Sequence, residues 1–213
     1  MKKKILFLLS ALLFVFFALL TFALLKLDVK AIGAGGTNVG LSTINGWFFS
    51  LTGVNLLWYH ITDWLGLLPL AVAAIFAFLG AAQLIKRKSI KKVDREIILM
   101  GIFYVLVIAF YIFFETKIIN YRPIIIYTSP EASYPSSHTM MVICIMWSAA
   151  IAVKSMWGER KVLCKCVNAL SVILIAITII GRLISGVHWL TDIIGGMVLS
   201  SALVLLYRAA VTE

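Results

Sequence analysis

Five ionisable side chains stand at the edges of long apolar runs: Arg122, His138, Arg182, His188 and Asp192. Charge is costly there, so a functional role is the default expectation. They come from three stretches: Asn120-Tyr121-Arg122-Pro123, Pro135-Ser136-Ser137-His138, and Gly181-Arg182 through His188 to Asp192. Two guanidiniums from separate stretches can fork onto the oxygens of one phosphoryl group and stay charged while doing so. Pro135-Ser136-Ser137-His138 opens an apolar run, and a helix N-terminus offers free N–H groups to an anion. His188 and Asp192 are four apart, hence on one face of a helix. There the carboxylate can accept the Nδ1–H of the imidazole and leave Nε2 free as a nucleophile. His138 is then the acid for a leaving oxygen. Each piece has a plainer reading: a capping histidine, a snorkelling arginine, a structural hydrogen bond or half of a metal site. Beside these stretches the acids are Glu115, Glu131 and Asp192, few for a metal-dependent phosphoryl transfer.

The elements that must position these groups are membrane helices. Of 213 residues, 62% are hydrophobic and 13% charged, and the mean hydropathy is +1.06. Soluble domains run nearer 45–50% apolar and about 25% charged. The composition excludes an ordinary soluble enzyme, a disordered chain and a disulfide scaffold. Six apolar runs, at about 5–25, 56–85, 97–114, 138–153, 162–180 and 188–207, predict a single all-α, six-helix transmembrane domain over residues 1–213. The run Ile5–Leu25 has a basic start but is long for a signal peptide, and no small-residue cleavage site follows, so it reads as a retained helix.

The net charge of +10 is explained by topology rather than by a nucleic-acid partner. With both termini cytoplasmic, fourteen basic residues fall inside, among them Lys2–Lys4 and Lys86–Arg95. Five fall outside: Lys26, Lys30, Lys117, Arg122 and Arg182. All five candidate residues then share the outer ends of helices three to six. The outer segment Leu27–Asn55 is rich in Gly, Ser, Thr and Asn and ends in aromatic residues. It reads as an interfacial belt or as a rim that guides a lipid. Cys144, Cys164 and Cys166 suggest neither a disulfide nor a zinc site.

Together the three stretches resemble the type 2 phosphatidic acid phosphatase (PAP2) superfamily of integral-membrane lipid phosphatases. Its blocks are K-x6-R-P, P-S-G-H and S-R-x5-H-x3-D. Here stand Arg122-Pro123, Pro135-Ser136-Ser137-His138 and Arg182-x5-His188-x3-Asp192. The resemblance implies that His188 forms a phosphohistidine, that Asp192 orients it, and that His138 protonates the leaving group and then activates water. Arg122, Arg182, Ser136 and Ser137 would hold the phosphoryl oxygens, with no metal and no cofactor. There are three departures. Gly181 replaces the serine of the third block, Ser137 the glycine of the second, and Glu115 the lysine of the first. Lys117 lies two residues out of register, and either it reaches the phosphate or Glu115 pairs with Arg122.

With the topology read from the basic residues, the resemblance implies a phosphatase acting at the extracytoplasmic face on a lipid phosphate or pyrophosphate, and the lysine-rich start and small size point to a bacterial plasma membrane. Candidate substrates are undecaprenyl pyrophosphate, phosphatidic acid and phosphatidylglycerol phosphate. A non-hydrolytic lipid-phosphate binding or flipping protein, and a phosphoryl or headgroup transferase, are the alternatives. Oligomeric state is not readable from the sequence.

Overall fold

The computed structural model describes residues 2–212. Eight α-helices account for most of them: α1 Lys2–Lys26, α2 Ser42–Thr52, α3 Leu56–Leu65, α4 Leu67–Arg87, α5 Arg95–Thr116, α6 Ser137–Trp157, α7 Lys161–Ser185 and α8 Leu190–Val211. Six stretches are long and apolar enough to cross a bilayer, with α3 and α4 together forming the 32-residue stretch Leu56–Arg87. The six expected runs are therefore all present, with most of their ends shifted by a few residues. The second is two helices that meet at Gly66, and α2 is an additional short helix inside the outer segment.

Burial sorts the helices. In α6 and α8 61% of the most apolar window is buried, against 11–28% in the other four spans, so α6 and α8 form the centre and the others surround them. The outer helices turn large side chains such as Leu8, Leu19, Phe22, Phe78 and Val105 outward, as lipid-facing surfaces do. Because lipid supplies little hydrophobic drive between helices, contacts rely on close packing and a few buried hydrogen bonds. Ser10 Oγ donates to Ala202 O at 2.8 Å, joining α1 to α8. Ser171 Oγ donates to Met146 O at 3.0 Å, joining α7 to α6.

Two glycines set the geometry at the end of the bundle that carries Arg122, His138 and His188. Gly186 ends α7 with φ +67°, and a Cβ there would lie 2.0 Å from Gly53 O, so no side chain fits. Gly181 lets α3 lie directly on α7, since a Cβ would stand 2.4 Å from Thr62 Cγ2 and 3.0 Å from the Trp58 ring. That close approach accounts for glycine where the PAP2 pattern has serine.

Candidate active site

His188 is not on the last helix, as its spacing from Asp192 suggests. It lies in the Gly186–Trp189 connection, and α8 begins at Leu190. The reason is a cap. Asp192 Oδ2 accepts the Trp189 N–H at 2.8 Å, turning the carboxylate toward the start of its own helix. His188 Nδ1 consequently stands 3.7 Å from Asp192 Oδ2, beyond hydrogen-bond reach. The Ser133 hydroxyl fills the gap. It donates to Asp192 Oδ2 and lies 3.2 Å from His188 Nδ1. On the other side of the ring, Arg122 Nη1 lies 3.3 Å from Nε2. A guanidinium can only donate, so Nε2 carries the lone pair and Nδ1 carries the proton. The chain of donors then runs from Nδ1–H to Ser133 Oγ and from Ser133 O–H to Asp192. Burial, reinforced by the nearby charges of Arg122, Arg182 and His138, pushes the His188 pKa well below the ordinary histidine value.

Arg122 projects from the loop between α5 and α6, which folds back on itself through Arg122 N to Glu131 O (3.0 Å) and Ser133 N to Asn120 O (2.9 Å). Its Nε pairs with Glu131 Oε2 at 3.0 Å. Pairing with Glu115, the alternative open from the sequence, is not found. Glu115 instead lines a small cavity that it shares with His188, Ser133 and Ser137. Lys117 caps the end of α5 with an exposed side chain that makes no hydrogen bond or ion pair among the described residues. The structure does not bring it into the site. Ser136 is the N-cap of α6, its Oγ accepting from Thr139 N at 3.5 Å, and Ser137 is the first helical residue.

His138 belongs to a second cluster, centred on an acid that the sequence reading passed over. Asp63 Oδ1, from α3, lies 3.1 Å from His138 Nε2 and 3.2 Å from Arg182 Nη2. Arg182 is fully buried, with its guanidinium 5.1 Å from the centre of the Tyr59 ring. Its Nε and Nη1 have no partner among the described residues. Buried guanidinium N–H groups left unpaired are costly, and an anion with several oxygens is the natural acceptor. Asp63 and His138 open onto a cavity of about 210 Å³, otherwise walled mainly by apolar side chains such as Leu67, Leu70, Met141 and Val142. An ionisable residue inside the second apolar run was the available signal for Asp63. Ser133 carried no such signal, since a serine in a polar loop is unremarkable.

The arrangement offers a neutral imidazole with its lone pair beside a guanidinium, a second histidine held by a carboxylate, and a buried arginine with spare donors. Residues 113–213, which hold every one of these groups except Asp63, match the family model of the PAP2 superfamily. The resemblance seen in the three sequence blocks is thereby borne out. No curated protein matches the chain by sequence. Among solved structures, the chain is similar to a transmembrane PAP2-type phosphatidylglycerolphosphate phosphatase from Bacillus subtilis. The two are 20% identical, with a TM-score of 0.65, and the match covers 93% of this chain and 94% of the other. The six-helix fold is therefore shared along nearly the full length of both.

Proposed function

We propose that the chain is a metal-independent membrane lipid phosphatase working through a phosphohistidine. The observation that carries this reading is the fully buried Arg182, with two unpartnered N–H groups, close to both histidines. A phosphoryl group held by Arg182 and Arg122 would present its phosphorus to His188 Nε2. The N–P bond forms as the P–O bond to the lipid breaks. The leaving oxygen takes the bond pair and the proton that His138 shares with Asp63. In the second half, His138 takes a proton from water as the water oxygen attacks phosphorus, and the N–P bond pair returns to His188. The apolar cavity beside His138 supports this reading, since it would receive the lipid end of the substrate next to the proposed acid. A diphosphate or a monoester fits this scheme, so undecaprenyl pyrophosphate, phosphatidic acid and phosphatidylglycerol phosphate are the substrates to test. The concentration of basic residues at the opposite end of the bundle supports cytoplasmic termini and an extracytoplasmic site.

Phosphate release from these lipids by purified protein in detergent tests the reading. Release that persists in EDTA and disappears in His188→Ala is the expected result. Release that requires a divalent metal, or that survives His188→Ala, overturns it.

A further inference from the structure

The opposite end of the bundle holds the largest cavity described, about 1120 Å³, between the C-terminal halves of α6 and α8, with Asn168 of α7 at its side. Its volume lies just above the roughly 300–1,000 Å³ typical of ligand pockets. α7 packs mainly on α6 and only lightly on α8. Trp147 and Ile151 of α6, with Leu205 of α8, make its wall apolar. Arg95, Lys154 and Arg208 make its rim cationic. Arg208 is eighteen residues beyond Leu190, the first residue of α8, so about 27 Å of helix separates this rim from the site described above.

The rim charges are mostly uncommitted. Lys154 and Arg208 are exposed, and their side chains make no hydrogen bond or ion pair among the described residues. Arg95 Nη2 donates to Ala210 O at 2.8 Å, which holds its guanidinium at the mouth. The one acid in the lining, Glu96, accepts the Ser155 hydroxyl at 2.7 Å and faces three cations. A groove in a membrane helix bundle, apolar along its length and cationic where the helices end, has the polarity of an anionic lipid.

We propose that this groove binds an anionic phospholipid, its phosphate at Arg95, Lys154 and Arg208 and an acyl chain along Trp147, Ile151 and Leu205. The site is independent of the chemistry at His188. Each basic residue near a membrane surface strengthens anionic-lipid binding about fivefold, so removing three weakens it on the order of a hundredfold.

The test uses the full chain in nanodiscs containing brominated phosphatidylglycerol or brominated phosphatidylcholine at equal mole fraction. Brominated phosphatidylglycerol should quench tryptophan emission more strongly, and the excess should vanish in Trp147→Phe. The triple variant R95Q/K154Q/R208Q should lose the excess, and so should Leu205→Phe, whose larger ring narrows the groove without adding a fluorophore or touching charge. His188→Ala should retain it in full. Equal quenching by the two lipids, an excess that survives Trp147→Phe, or an excess lost in His188→Ala overturns the proposal. Cross-linking of two chains through Ser201→Cys would overturn it also, by showing a second copy in the groove.

Discussion

His188 and Asp192 communicate through a serine. Their side chains are 3.7 Å apart, and Ser133 Oγ lies 3.2 Å from the imidazole while donating to the carboxylate. The carboxylate is shared between this relay and the cap of α8, where it takes the Trp189 N–H. One acid therefore fixes both the start of the central helix and the orientation of the imidazole ahead of it.

Ser133→Ala removes the bridge and leaves a space between two buried polar groups. Loss of one hydrogen bond to a charged partner corresponds to a fall of about ten- to a hundredfold in turnover. The fall should appear in kcat rather than KM, because Ser133 acts on the imidazole and not on the lipid. Ser133→Thr, which keeps the hydroxyl, should recover most of the activity. Steady-state kinetics on the preferred lipid checks both, and a pure KM effect would rule out the relay.

Asp63→Asn should cost about a hundredfold in turnover on lipid substrates, the scale of losing general acid–base assistance. An aryl phosphate, whose leaving group needs little protonation, should be affected far less. Equal losses on both substrates would show that Asp63 only braces Arg182.

The depressed pKa of His188 fixes the acid side of the pH profile. A group whose protonated form is disfavoured keeps its lone pair as pH falls through the ordinary histidine value of about 6.5, and loses it only at more acidic pH. Single-turnover formation of the phosphoenzyme should therefore remain undiminished by His188 protonation at pH 6, and the acid limb should lie below that. A limb centred at the ordinary value would contradict the burial of this imidazole.

Gly181→Ser restores the residue of the PAP2 pattern and should nevertheless harm this chain. Its Cβ would stand 2.4 Å from Thr62 Cγ2, so α3 must move away from α7 and take Asp63 with it. Overpacking of this kind costs about 1–3 kcal/mol. A second substitution, Thr62→Ser, removes the offending methyl and should recover part of both thermal stability and phosphate release. A double variant no better than Gly181→Ser would place the damage elsewhere.

Much of this was legible in the chain itself. Six apolar runs of spanning length admit few architectures, and the spacing of Arg182, His188 and Asp192 singled out one end of the bundle. What failed was inference from helical periodicity at the helix start. A four-residue separation implies a shared face only if both residues are helical, and the positive φ of Gly186 together with the Trp189 cap leaves His188 outside. Asp63 was hidden differently. It lies far from the three blocks in sequence, and only the packing of α3 on Gly181 carries it to Arg182 and His138. Lys117 shows the limit of matching by residue type, since this cation two positions out of register is exposed and makes no hydrogen bond or ion pair among the described residues.

The outer segment before α3 has a consequence for what counts as the working unit. Ala34 N donates to Arg122 O, Gly40 N to Asn120 Oδ1, and Asn45 Nδ2 to Thr191 Oγ1, so two of the three stretches around the site are pinned by residues from the first quarter of the chain. Asp63 comes from the same N-terminal part. The portion recognisable by family, residues 113–213, is therefore smaller than the portion that can be grafted. A chimera carrying only that half would inherit both histidines and Asp192 without the struts that aim them, whereas exchange of the whole 2–212 body would carry both.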